Sequence, residues 1–218
     1  MRALGVDLGS TAIKACLWEL QPGSPPVLIR RVSRELHLQI PQPGWALQDP
    51  HATLQTVREL LSEMAGYQAL GFSSAMHSLL PLCETGQPLG MSVSWADQRS
   101  WAEAELLQKE APEWAELTGT PLHPMAWPAK LLWWRKHEPT PAYWVGLKEW
   151  VVSQLAGLPR PPWMDRSMAS ATGLYVGNGW SPIMLQKCGL QVSQLPEVIE
   201  PDQPLDEFSV RTVLGAGD

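Results

Sequence analysis

The first pattern along the chain is apolar runs cut short by small polar residues. Ala3-Leu4-Gly5-Val6 stops at Asp7, Leu8-Gly9-Ser10-Thr11 follows, and Ala12-Ile13-Lys14-Ala15-Cys16-Leu17-Trp18 resumes a strand-like run. Two strands joined through a glycine and two hydroxyl residues predict a hairpin. The turn cluster Gln21 to Pro26 then separates a third strand, Val27 to Val32. Asp49 can cap a helix with Pro50 in its first position, and Leu54, Val57, Leu60, Leu61 and Met64 recur at helical spacing, so a helix should cover one face of the sheet.

Strands and helices alternate after that. Ala69 to Ser73 reads as a strand running into the small, polar segment Ser74-Ala75-Met76-His77-Ser78. Leu79 to Leu82 extends to a turn, and Val93 to Asp97 reads as a strand ending at a carboxylate. Ser100 and Glu103 have capping-box spacing ahead of a helix through Leu106 and Leu107. Pro128 opens another helix carrying Lys130, Leu131 and Trp134, and a helix from Leu147 to Ala156 closes at Gly157. Asn178-Gly179 is a hairpin turn, 201–205 is loop-like, and Val210 to Leu214 is a last strand before Gly215-Ala216-Gly217-Asp218. The alternation predicts an α/β fold, whose polar strand ends are where such folds place ligands.

Composition narrows the partners. With 218 residues, 44% of them hydrophobic, the chain can bury one large core or two small ones. A net charge of -6 without a basic block argues against nucleic acid, and no run of about 18 apolar residues suggests a membrane span. Cys16, Cys83 and Cys188 are too dispersed for a metal site and odd in number for a disulfide framework, which fits a reducing cytoplasm. Most of the 12 tryptophans should be core or groove-lining mass. Small molecules are the expected partners. The tip after Asp7 suits phosphate, with backbone N–H groups and hydroxyls as donors, and the carboxylate suits Mg²⁺; a plain hairpin turn is the alternative.

Seven ordered segments together resemble the FGGY carbohydrate kinases, several of them most like the gluconate kinase branch. They are Asp7 to Thr11, Trp45 to Pro50, Ser74 to Ser78, Trp95 to Ser100, Thr118 to Met125, Ser170 to Leu174 and Gly215 to Asp218. The resemblance implies a ribonuclease H-like (actin-like ATPase) fold: a mixed sheet opened by the antiparallel β-hairpin, with helices on both faces. It implies that residues 1–218 are the N-terminal, sugar-binding domain, ending at the catalytic Gly-x-Gly-Asp motif, with the C-terminal adenosine-binding domain absent. The activity implied is transfer of the ATP γ-phosphoryl group to a sugar or sugar acid, gluconate to 6-phosphogluconate first and a xylulose- or ribulose-type pentulose next. A sugar-binding module without turnover is the other reading, since family members run to more than twice this length.

The same resemblance assigns roles. Asp218 falls on the catalytic base, and Asp7 on the Mg²⁺-linked carboxylate, held through water. Gly9, Ser10, Thr11 and Lys14 fall on the ATP phosphates. Met76 and His77 match the sugar-contacting pair, although His77 taken without the resemblance reads first as a satisfied buried histidine at a strand end. His123 and Met125 lie on a substrate-contacting segment, where a histidine could bond the carboxylate of gluconate or merely shape the loop. Asp97, with Arg99, is either a cleft-edge substrate contact or a solvated salt bridge, and Lys130 either supports the same wall or is an exposed helix lysine. The cofactors implied are ATP and Mg²⁺. A separate C-terminal kinase domain or a homodimer would complete the nucleotide site.

Overall fold

The computed structural model describes residues 1–217, so the expected base, Asp218, lies outside the described residues. The chain opens as an antiparallel meander of β1 (Arg2–Leu8), β2 (Ala12–Glu19) and β3 (Val27–Glu35). A short β4 (Leu47–Gln48) leads to α1 (Pro50–Glu63). Asp49 caps α1 as its spacing predicts: the carboxylate accepts from the His51 and Ala52 N–H groups, and Pro50 fills the first turn, where no N–H is needed. Next, β5 (Ala69–Ser74) returns to the sheet parallel to β1.

The middle of the chain leaves the sheet. It contains β6 (Leu80–Leu82), β7 (Ser92–Val93), α2 (Trp101–Glu110), α3 (Glu113–Thr118) and α4 (Trp127–His137), then β8 (Tyr143–Val145) and α5 (Leu147–Leu155). It continues through β9 (Trp163–Asp165), α6 (Arg166–Ala171), the hairpin β10 (Tyr175–Val176) and β11 (Gly179–Trp180), and α7 (Pro182–Cys188). Finally β12 (Glu197–Ile199) pairs with β9, while β13 (Pro204–Leu205) and β14 (Arg211–Val213) rejoin the main sheet. The six-stranded order is β13-β14-β5-β1-β2-β3, with β5 parallel to both β1 and β14 and the other pairings antiparallel. This is the mixed sheet, opened by an antiparallel hairpin, that the family resemblance implies.

Alternation decides what each sheet face carries. Leu4, Val6 and Leu8 of β1, Ile13, Ala15 and Leu17 of β2, and Leu70 and Phe72 of β5 point to one face and pack under α1 and α5. The other face bears Gly5, Asp7, Lys14, Cys16, Trp18, Gly71 and Ser73, which line an open groove of about 530 Å³ with Gly215 at one side. Helix cover, expected on both faces, is therefore complete on one among the described residues. A second core, rich in tryptophan, joins α2, α3, α4, α6 and α7 through Leu107, Trp114, Trp127, Leu131, Met168 and Met184.

Four local expectations change. The strand at 93–97 stops at Val93, because Ser94 to Asp97 turn: the Asp97 N–H bonds back to the Ser94 carbonyl. The capping box at Ser100 and Glu103 does not form. The Ser100 hydroxyl donates to the Pro124 carbonyl, and Glu103 accepts from Lys136 at 2.7 Å, so long-range partners displace the local ones. The hairpin turn lies one residue earlier than expected, at Gly177-Asn178, since Gly179 pairs with Val176 and Gly177 takes the positive φ of 61°. The loop-like stretch at 201–205 ends in β13, which pairs with β14.

Candidate functional site

Two neighbouring surfaces meet at the end of β1, and alternation along that strand sends Asp7 to one and Leu8 to the other. On the groove side, register sets Asp7 directly opposite Lys14 of β2 and Ser73 of β5. The Ser73 hydroxyl donates to Asp7 Oδ1 at 3.1 Å, and Lys14 Nζ stands 3.7 Å from Oδ2. Both charges are partly exposed, leaving carboxylate lone pairs and ammonium protons to solvent or a ligand. The tip between the strands needs its glycine, because the Gly9 N–H bonds the Ala12 carbonyl and a Cβ there would lie 2.7 Å from that oxygen. The Thr11 side is exposed, Ser10 is half-buried, and Gln48 ties the tip to the base of α1 by donating to the Gly9 carbonyl.

On the other side a recess of about 10 Å³, room for one water, is bounded by Ser10, Gln48, Met76, Trp95 and Lys148. Its wall is held by buried charge. His77 has φ 64°, the only non-glycine residue with positive φ among the described residues, and its carbonyl accepts from Lys130 Nζ at 2.6 Å. The same ammonium donates to the Ser94 carbonyl at 2.9 Å, so one buried lysine ties the Met76-His77 turn to the loop before Asp97. Burial pushes the Lys130 pKa down to about 7, against the opposing pull of Asp97. Burial, with the charge of Lys130 nearby, also lowers the His77 pKa to about 4. The ring is therefore neutral at pH 7. Its Nδ1 is buried and has no hydrogen-bond partner among the described residues.

Asp97 is neither a cleft-edge acid nor half of a solvated salt bridge. It is fully buried, accepting from the Ala46 N–H at 2.7 Å, from the Arg99 N–H at 3.1 Å and from the Arg99 guanidinium at 2.8 and 2.7 Å. The guanidinium stacks 3.5 Å above the Trp45 ring. With its oxygens occupied, Asp97 fixes the loop that presents Trp95, whose indole N–H reaches Ser10 Oγ at 3.4 Å. His123 and Met125 lie on the loop between α3 and α4, where His123 Nδ1 accepts from the Met125 N–H at 3.2 Å. With Nδ1 accepting there, Nε2 is the ring nitrogen left to face a ligand, with no hydrogen-bond partner among the described residues.

The last described residues enter this site. Gly215 has φ 63°, and a Cβ there would lie 1.8 Å from the Phe72 carbonyl oxygen, so only glycine lets the chain pass β5. Gly217 bridges Ser74 in the parallel sense and is wedged where a Cβ would meet Met168 Sδ at 2.6 Å and Met76 Cγ at 2.8 Å. The structure thus brings the segment leading to Asp218 beside Met76, while Asp7 and Lys14 sit on the groove side.

Sequence reasoning missed Ser73, Gln48 and the buried charges of Lys148, Glu149 and Asp165. Lys148 Nζ binds Asp165 Oδ2 at 2.5 Å, and burial pushes the Glu149 carboxyl up to about 7. Asp165, preceding Ser167 as an N-cap would, carried the one local signal.

The chain is similar to known carbohydrate kinases. A gluconokinase of Bacillus subtilis (strain 168) is 31% identical over 210 residues, covering 90% of this chain and 40% of the relative. A xylulose kinase of Escherichia coli (strain K12) is 26% identical over 211 residues, 90% of this chain and 42% of the relative. The crystal structure of gluconate kinase from Lactobacillus acidophilus superposes with a TM-score of 0.88 at 27% identity, covering all of this chain and 48% of that one. The chain therefore spans less than half the length of each of these relatives. The model of the FGGY family of carbohydrate kinases, N-terminal domain, matches residues 2–217, and the chain belongs to that family.

Proposed function

We propose that this chain is the sugar-holding part of a kinase that moves the γ-phosphoryl group of ATP to a hydroxyl of gluconate, giving 6-phosphogluconate. The observation that carries the reading is the locked Met76-His77 turn, held by Lys130 and packed against Gly217 of the Gly-x-Gly-Asp segment. A neutral His77 imidazole can both donate to and accept from sugar hydroxyls. His123 donates from Nε2 to the substrate, a bond strengthened when the acceptor is a carboxylate. Met76 and Met125 supply the apolar walls. Asp97 acts through the wall, as a positioning residue. Asp218 takes the proton of the acceptor hydroxyl.

The residues at the hairpin tip fit Mg·ATP. Asp7 is partly exposed and keeps lone pairs for a hydrated ion, which favours contact through water. Gly9, Ser10 and Thr11 offer backbone and hydroxyl donors to phosphate, and Lys14 offers charge. When bound, the nucleotide and its metal supply the phosphoryl group and neutralise its developing charge. A C-terminal kinase domain completes the adenosine side, from a longer chain, a separate protein or a second copy. The three free cysteines fit a cytoplasmic setting, and no described helix is long and apolar enough to cross a membrane.

Similarity to a xylulose kinase favours a pentulose as the second substrate, and a binding module without turnover is the third reading. ADP release with Mg·ATP, compared across gluconate, xylulose, ribulose, glycerol and no sugar, tests them. Turnover with gluconate above the others is the expected result. Preference for xylulose moves the assignment to pentulose kinase. Sugar binding without turnover leaves the module.

A further inference from the structure

A chain of contacts from the recess wall to Gly217 has no part in the roles given above. Lys148 lines the recess, is fully buried and binds Asp165 Oδ2 at 2.5 Å. Asp165 Oδ1 accepts from the Ser167 N–H at 2.9 Å, from the Met168 N–H at 3.1 Å and from the Ser167 hydroxyl. With its hydrogen directed at Asp165, the Ser167 oxygen keeps its lone pairs, and it accepts the Gly217 N–H at 2.8 Å. Met168, the next residue of α6, fills the space where a side chain at 217 would stand and touches Ser74 Oγ through its sulfur at 3.8 Å.

We propose that Lys148, Asp165 and Ser167 form a positioning relay that fixes the Gly-x-Gly-Asp segment against the Met76 turn. The inference rests on the kinase reading for its consequence, but not for its geometry. Each member has a distinct task. The buried ammonium of Lys148 holds the Asp165 carboxylate in one rotamer, and that carboxylate caps α6 and orients the Ser167 hydroxyl. The hydroxyl then holds the Gly217 amide, the one amide of the segment bonded to a side chain outside it among the described residues. Gly215 frees the backbone to turn past Phe72, and that freedom needs a clamp beyond it. A loose clamp would leave sugar binding intact while spreading the orientations available to the residue that follows, an error paid in rate rather than in affinity.

The test is Ser167→Ala, which removes the hydroxyl alone and leaves Asp165 capping α6 through the two backbone amides. Amide hydrogen exchange of the 218-residue chain should show Gly217 losing protection about tenfold, the loss of one hydrogen bond, while Val6 and Phe72 of the sheet are unchanged. Ser167→Thr restores the hydroxyl and should restore protection. Unchanged exchange at Gly217 in Ser167→Ala overturns the relay whatever the substrate proves to be. Where the wild-type protein turns over, kcat should fall about tenfold or more with KM for the sugar shifting less than about threefold. An equal fall in kcat/KM through KM alone also overturns it. Absence of wild-type turnover with the adenosine side also supplied counts against the kinase reading, and in either case the exchange result decides the relay.

Discussion

At the hairpin tip Asp7 faces Lys14 across 3.7 Å with side chains 26% and 45% exposed, whereas in the tryptophan wall Asp97 and Arg99 meet at 2.7 Å with 0% and 6% exposed. The first pair is screened by water and free to exchange its partner for a ligand. The second has spent its lone pairs on one guanidinium and two backbone amides. Charge left in solvent is available for chemistry, and charge taken into the core becomes scaffolding. The same division separates Lys14 from Lys130 and Lys148, three lysines of similar appearance in the sequence with opposite fates in the fold.

The sharpest way to break this comparison is to remove one carboxylate from each region. Asp97→Ala leaves a buried guanidinium and the Ala46 amide unpaired, and should cost about 3–5 kcal/mol in urea unfolding. Asp7→Asn should cost under about 1 kcal/mol while abolishing turnover with Mg·ATP. Equal stability losses in the two variants would erase the distinction between scaffold and ligand-facing charge.

A middle-sized effect concerns substrate choice. His123→Ala should weaken gluconate use by about tenfold and pentulose use by less, since only gluconate offers an ionised acceptor. Steady-state kinetics on both sugars measures it, and equal losses would remove the carboxylate contact.

The smallest effect is one of pH. The unfolded His77 takes up a proton near 6.5, and the folded one only near 4. Between those values the unfolded state binds more protons, so this group's stabilising contribution is full above pH 6.5 and is lost as pH falls through 4. Glu149, raised to about 7, runs the other way: its contribution is present below its unfolded value of 4.5 and is lost as pH rises through about 7. Between pH 4 and 6.5 the wild-type profile blends the two. His77→Asn keeps a residue tolerant of the positive φ and should remove only the first slope. A difference between wild type and variant that does not change from pH 4 to 6.5 would show that His77 is not held neutral.

Much of the fold could be read along the chain because its signals are local. Alternation marks β1, β2 and β5, Asp49-Pro50 starts α1, and Gly157 follows α5, each within a few residues of the element it sets. Helices α3, α6 and α7 are six or seven residues long, too short for a period to declare itself, and they are held by packing against the tryptophan core. Ser100 and Glu103 show the reverse error: the local pattern was present, and distant partners at Pro124 and Lys136 took both side chains.

The site divides along the same line. The sequence by itself determined the hairpin, the residues at its tip and the glycines of the last segment, because backbone conformation at a turn depends on the residue occupying it. It also carried the family, through the order of seven short segments. Only the tertiary structure decided that Asp97 lies inside, that Lys130 joins two loops, and that Lys148, Asp165 and Ser167 line up toward Gly217. A charge's role depends on how much water surrounds it and which groups approach it from elsewhere in the chain. Those are properties of the packed molecule, and no spacing along the chain records them.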